Sequence, residues 1–136
     1  MSLALSASLI VAAAIVVENE RVLITQRKRG SHLEGLWEFP GGKVEDGEDP
    51  KQALVREMRE ELGLEVIVGD VVDVTFHRYE TKSVLLLFYA AMRATRAEPR
   101  AIDVAAFEWA SAAELDPARF PAADVAVLDK VRRLVG

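Results

Sequence analysis

A mixed β-sheet with helices on both faces, an α/β arrangement of the α+β kind, is what this sequence predicts. Three observations point to it. Runs rich in β-branched and aliphatic residues recur along the chain, two well-marked helices interrupt them, and the order shows no strict βαβ alternation. The 136 residues are one domain's length, so residues 1–136 are expected to form a single domain.

Each element has a local reason. Residues 9–17, dense in Ile, Val and Ala, read as a central strand, and Glu18-Asn19-Glu20 is short and polar enough for a hairpin into a return strand at 21–26. A glycine- and charge-rich loop spans 27–35. Residues 36–39 alternate as a short strand, which Pro40-Gly41-Gly42 should break. The helix that follows is marked at both ends: Asp49 as cap, Pro50 in the first turn, Gln52 as capping-box partner and Gly63 as the stop. Strands are expected at 66–75, 84–92 and 107–109. Ser111 with Glu114 reads as a small capped turn, and 124–135 as a terminal helix burying Val125, Leu128, Val131 and Val135.

Composition removes several function classes. There is no cysteine, so disulfides, thiolate zinc sites and cysteine nucleophiles are excluded, and a reducing, cytoplasmic setting is expected. Twenty-two acids against 17 bases leave a net charge of −5, which argues against binding a nucleic-acid polymer. The apolar stretch 3–17 falls short of the about 20 residues that span a bilayer. It lacks the basic start of a secretory signal and runs into Glu18-Asn19-Glu20, so it reads as a buried first strand and no membrane is expected.

The chemistry is concentrated between Gly41 and Leu64. At 100° per residue, Glu57, Glu60 and Glu61 fall within an arc of about 100° on the capped helix, with Val55, Met58 and Leu62 beside them. Glu57 and Glu61 are an (i, i+4) pair of like charge, costing an isolated helix about 0.2–0.5 kcal/mol. Carboxylates so placed are hard oxygen ligands suited to Mg²⁺ or Mn²⁺; a solvated acidic face is the plainer alternative. Gly41 and Gly42, just upstream, let backbone approach a ligand closely.

The segment reads Gly42, five residues, Glu48, seven residues, then Arg56-Glu57-Met58-Arg59-Glu60-Glu61-Leu62-Gly63-Leu64. This resembles the Nudix box at every defined position. The likeness extends loosely over nearly the whole chain towards the MutT-type branch, through Leu23-Ile24-Thr25-Gln26-Arg27, Trp37-Glu38-Phe39-Pro40-Gly41-Gly42-Lys43, and Glu98-Pro99 through Trp109 to Phe120-Pro121. It implies the Nudix fold, an α/β/α sandwich around a mixed central sheet.

The resemblance also implies roles. Glu57, Glu60 and Glu61 would be metal carboxylates with the Gly41 carbonyl beside them, and Glu57 would help deprotonate the attacking water. Arg56 would orient the carboxylates and Glu48 would buttress the loop. Asp103 matches a further acidic position that reaches the metals, or is a turn aspartate. Arg27 and Lys43 match positions that contact phosphates and His32 a loop position near the nucleotide or a plain surface histidine, with part of the run Arg27-Lys28-Arg29 read as solvated surface. Glu38 and Phe39 are read as substrate-binding, Phe39 as an aromatic that could stack on a base or else lie in the core, Trp37 as core and His77 as a strand end. Asp124 matches a base-reading position, an acceptor when ionised, or else caps the terminal helix.

The implied activity is Mg²⁺-dependent cleavage (Mn²⁺ possible) of a small-molecule substrate. That substrate is a (deoxy)nucleoside triphosphate, such as 8-oxo-dGTP or a CTP-type nucleotide, and the products are a monophosphate and pyrophosphate. The alternatives are a dinucleoside polyphosphate substrate, for which Tyr79 is the weak signal, and a non-catalytic binding module. Monomer and homodimer are both open.

Overall fold

The computed structural model describes residues 8–136, so residues 3–7 of the apolar start lie outside the described residues. Strand β1 (Leu9–Ile15) is central, as expected. Glycine-rich β5 (Gly41–Lys43) pairs with it antiparallel on one side, and β7 (Ser83–Arg93) pairs with it in parallel on the other. The long β6 (Val66–Arg78) pairs antiparallel with β7 and closes this sheet in the order β5-β1-β7-β6.

A second sheet holds β2 (Val17–Glu18), β3 (Arg21–Gln26), β4 (Trp37–Glu38) and β8 (Ala106–Ala110), with β3 pairing to all three others. The single mixed sheet expected from sequence is therefore two four-stranded sheets. The chain changes sheet at Val16, whose carbonyl accepts the Leu23 N–H at 3.0 Å. The hairpin at Asn19-Glu20 has positive φ at both residues (51° and 60°), the geometry of a tight I′-type turn.

The layers follow from alternation. Along β1, Ala12 and Ala14, with Val16 beyond them, pack toward helix α1 (Pro50–Leu62), where Leu54, Met58 and Leu62 are fully buried. Ala13 and Ile15 face the opposite core, built with α2 (Ala122–Val135). A strand buried on both faces reads as a continuous apolar run, which is why 9–17 shows no polar alternation.

Two sequence expectations need correcting. Pro40-Gly41-Gly42 does not end the strand region: Gly41–Lys43 forms β5, because only glycine fits so close to β1, where a Cβ on Gly41 would stand 2.0 Å from the Ala12 carbonyl oxygen. In α2 the buried positions are Ala123, Asp124, Val127, Leu128, Val131 and Val135, while Val125 is 40% exposed. The helix begins two residues earlier than expected, at Ala122, with Pro121 at the cap position. Asp124 is thus a buried first-turn residue, not the helix cap. The Ser111–Glu114 capping box is present, heading a short 3₁₀ turn.

Candidate active site

Helix α1 is fixed at both ends. The Asp49 carboxylate accepts the Lys51 N–H at 3.1 Å, Pro50 opens the first turn, and Gly63 closes the helix at φ 66°, a left-handed conformation that glycine adopts without strain. The loop from β5 to α1 is held from within: Glu48 accepts the Glu45 N–H at 3.0 Å and two bonds from Arg56, both at 3.0 Å. Glu48 therefore does buttress the loop in this structure. Its carboxyl is held below the usual range by the Arg56 guanidinium and the Glu45 N–H.

Arg56 is a hub. Besides Glu48 it donates to Glu57 at 2.9 Å, Glu60 at 3.3 Å and the Lys43 carbonyl at 3.0 Å. It lines neither of the two hollows described below, and its bonds orient carboxylates.

The main cavity, about 410 Å³, opens between β5, the start of β1 and the first turn of α2. Glu57 and Glu61 line it, with Gly41, Gly42, Lys43 and Asp124. Arg27, His32, Glu38 and Phe39 also line it. Leu9, Val11, Ala13, Val84 and Leu86, alternate residues of the parallel pair β1 and β7, supply its apolar surface. The sequence reading passed over Lys82, which lies on this cavity with Tyr79. Lys82 carries no local motif, and only the β6–β7 pairing brings it there.

A second hollow, about 200 Å³, shares Arg27, Glu38 and Glu61 with the first and adds Lys28 and Asp103. Glu60 lines neither hollow. Its side chain is 55% exposed and its contact is Arg56. The arc of three carboxylates therefore splits, with Glu57 and Glu61 turned inward and Glu60 outward.

Several expected ligands are already engaged. Arg27 Nη1 donates to both Glu38 carboxylate oxygens at 2.8 and 2.9 Å, and its Nε donates to the His32 carbonyl. Phe39 is only 3% exposed, packed on Phe88 and Phe120 at ring separations of 6.1 and 5.6 Å, so it forms cavity wall from within the core. Trp37 packs partly against the same core, under Arg119. His32 and His77 both meet the Tyr79 ring edge-on.

Charge at this site is unbalanced. Glu38 has Arg27, Glu57 has Arg56, and Asp103 has Lys28, but Glu61 has only the Gly41 N–H, at 3.2 Å, among the described residues. Burial, followed by the charges of Glu38 and Glu57, pushes Glu61 up to about 8. Burial also raises Glu57 and Glu38, against the pull of Arg56 and Arg27. Asp124, 5% exposed, is pushed up to about 8 by burial and then by Glu38.

Among the described residues no three acidic or histidine side chains are gathered closely enough to cage a metal ion. Magnesium does not require such a cage, since it is commonly held by one or two carboxylates plus water and phosphate oxygens. A half-buried Glu61 without a cationic partner among the described residues, beside Glu57, is a donor set that fits such an ion. The Gly41 N–H holds Glu61 in place.

The NUDIX domain family model matches residues 8–131. The chain belongs to the Nudix family. Nudix relatives agree along most of its length: a putative 8-oxo-dGTP diphosphatase 2 of Mycobacterium tuberculosis is 41% identical over 93% of this chain and 91% of its own. A CTP pyrophosphohydrolase of Escherichia coli is 55% identical over 46% of each chain. The solution structure of the Escherichia coli ORF135 protein matches with a TM-score of 0.79 and 34% identity, covering 95% of this chain and 91% of that one. This Nudix protein is a hydrolase acting on phosphoric anhydrides, in a family that generally uses divalent metal ions. Among the described residues no helix is long and apolar enough to cross a membrane.

Proposed function

We propose that this Nudix hydrolase cleaves (deoxy)nucleoside triphosphates to a monophosphate and pyrophosphate with Mg²⁺ or Mn²⁺, acting on modified nucleotides such as 8-oxo-dGTP or on CTP-type nucleotides. The observation that carries this reading is the arrangement of the main cavity. Glu61, half-buried and without a cationic partner among the described residues, and Glu57 line it together with a buried carboxyl, Asp124. The two glutamates suit a cation with phosphates; Asp124 suits a base edge. The names of the two curated relatives, one for 8-oxo-dGTP and one for CTP, agree with that class of substrate.

In this reading Glu57 and Glu61 hold the metal, with Asp103 reaching it from the second hollow. The ion supplies charge neutralisation on the phosphoryl oxygens. Glu57, kept in place by Arg56, accepts the proton of the attacking water. Lys43, exposed on the cavity, meets phosphate charge, while Arg27 stays on Glu38 and shapes the wall between the two hollows. The test is a nucleotide panel with Mg²⁺ and with Mn²⁺, products separated by chromatography. Release of inorganic phosphate in place of pyrophosphate, or no turnover on any nucleotide, defeats the reading.

A further inference from the structure

The second hollow holds an ion pair, Lys28–Asp103, whose lysine the chemistry above does not use. Backbone bonds bring its two partners together. The loop 100–103 is stapled to the end of α1: Arg100 N–H donates to the Leu62 carbonyl at 2.9 Å, and the Ile102 and Asp103 N–H groups donate to the Glu61 carbonyl at 3.0 and 3.2 Å. Ala105 N–H donates to the Gln26 carbonyl at 2.9 Å, tying the same loop to the end of β3. Lys28, two residues past Gln26, thereby faces Asp103, two residues before Ala105, and its ammonium contacts the Asp103 carboxylate. Ser31 fixes the turn by donating from its N–H and its hydroxyl to the Lys28 carbonyl.

The cations around Glu61 differ in their commitments. Arg56 serves three carboxylates and Arg27 grips Glu38, whereas Asp103 is the sole acidic partner of Lys28 among the described residues. Both members of the Lys28–Asp103 pair are more than half exposed, at 54% and 58%. Such a pair adds little to stability and is readily exchanged. Its position is what sets it apart, since Lys28, Asp103 and Glu61 share one small hollow.

We propose that the Lys28 ammonium is a built-in counter-ion for Asp103 that a divalent cation has to displace, so that Lys28 sets the affinity for the metal. This rests on the reading of Glu61 and Asp103 as metal carboxylates. A single positive charge held beside a divalent one raises the energy of the bound state, and the effect is screened by salt. Lys28 lowers metal affinity in exchange for keeping Asp103 neutralised and in place when no metal is bound.

The test is Mn²⁺ binding to the whole protein without substrate, read from the free-ion EPR signal. Lys28→Met is expected to tighten binding about 5- to 10-fold at low salt, the gain shrinking as KCl is raised. Lys28→Arg should stay near the wild type. Asp103→Asn should weaken binding, and in the Lys28→Met/Asp103→Asn double variant the gain should vanish. Arg29→Met removes a charge from the same run without touching either hollow; if it tightens binding as much, the effect is net charge and the proposal falls. It also falls if Lys28→Met binds Mn²⁺ as the wild type does, or more weakly. A wild type that binds no Mn²⁺ at all defeats this proposal and the metal reading together. Normal wild-type binding with an unresponsive Lys28→Met defeats this proposal alone.

Discussion

A Cβ placed on Gly42 would stand 2.4 Å from the carboxylate carbon of Glu57. The absence of a side chain at 42 is therefore what lets Glu57 press against the β5 backbone and turn into the cavity. Gly42→Ala should push the carboxylate off its place by roughly an ångström. Displacements of that size cost about a hundredfold where geometry governs the rate. We expect kcat/KM to fall ten- to a hundredfold with little change in Tm. Gly47→Ala is the contrast: nothing lies within 4 Å of its Cβ but φ is +75°, so it should cost about 1 kcal/mol of stability and leave turnover near normal. Equal losses of activity in both variants would sink the argument.

Glu61→Gln should separate stability from function. The folded protein holds the Glu61 proton up to about pH 8, against 4.5 ordinarily. That favourable contribution is fully present below pH 4.5 and is lost as pH rises through 8, at up to about 1.4 kcal/mol per pH unit. Glutamine carries no such penalty. Without metal, Glu61→Gln should match the wild type near pH 4.5 and melt progressively higher than it toward pH 9. Turnover with Mg²⁺ should meanwhile drop by more than about a hundredfold, since even groups that only support a metal ligand cost 10–100-fold when removed. A variant that melts lower at pH 9, or keeps its turnover, contradicts the role given to Glu61.

What the sequence disclosed and what it hid divide along the range of the interactions. The α1 stop at Gly63 and the Asp49 cap are set within one helical turn of each end, and short-range spacing reveals them. The outward turn of Glu60 is not short-range. A helical arc holds Glu57, Glu60 and Glu61 together, but the rotation of α1 is set by Leu54, Met58 and Leu62 against β1 and β3, and that rotation leaves Glu60 on Arg56. Strand β5 was illegible because glycine pairs look like breakers until the close approach of β1 is known. Val125 was misplaced because alanine and valine surround α2 on several sides, so only its packing shows which face is buried.

Arg27 was expected on phosphate, yet in the structure it neutralises Glu38, which burial already pushes toward its neutral form. Arg27→Ala leaves a half-buried carboxylate between Glu61 and Asp124 without its partner. An unpaired group of this kind costs about 1–3 kcal/mol. We expect a lower Tm, restored in large part by adding Glu38→Gln. If Arg27 only bound phosphate, Arg27→Ala would raise KM and leave Tm unchanged, so thermal melts of the single and double variants decide between the two roles.

Asp124 is the residue whose chemistry the structure alters most. Read from sequence as an ionised acceptor, it is buried in the first turn of α2 and pushed up to about 8, first by burial and then by Glu38. At pH 7 it therefore keeps its proton, and a protonated carboxyl both donates and accepts, as an asparagine amide does. Asp124→Asn should then change base preference little at pH 6.5. Differences in preference should open above pH 8, where the wild type loses the donor. The ratio of kcat/KM for 8-oxo-dGTP to that for CTP should shift with pH in the wild type by about tenfold, the value of one hydrogen bond, and stay flat in Asp124→Asn. Stability follows the same sign: the wild type falls relative to the variant as pH climbs from 4 to 8. A ratio with the same pH profile in both proteins would mean that Asp124 does not touch the base, and a Tm gap that does not widen between pH 4 and pH 8 would mean that its burial does not keep it protonated.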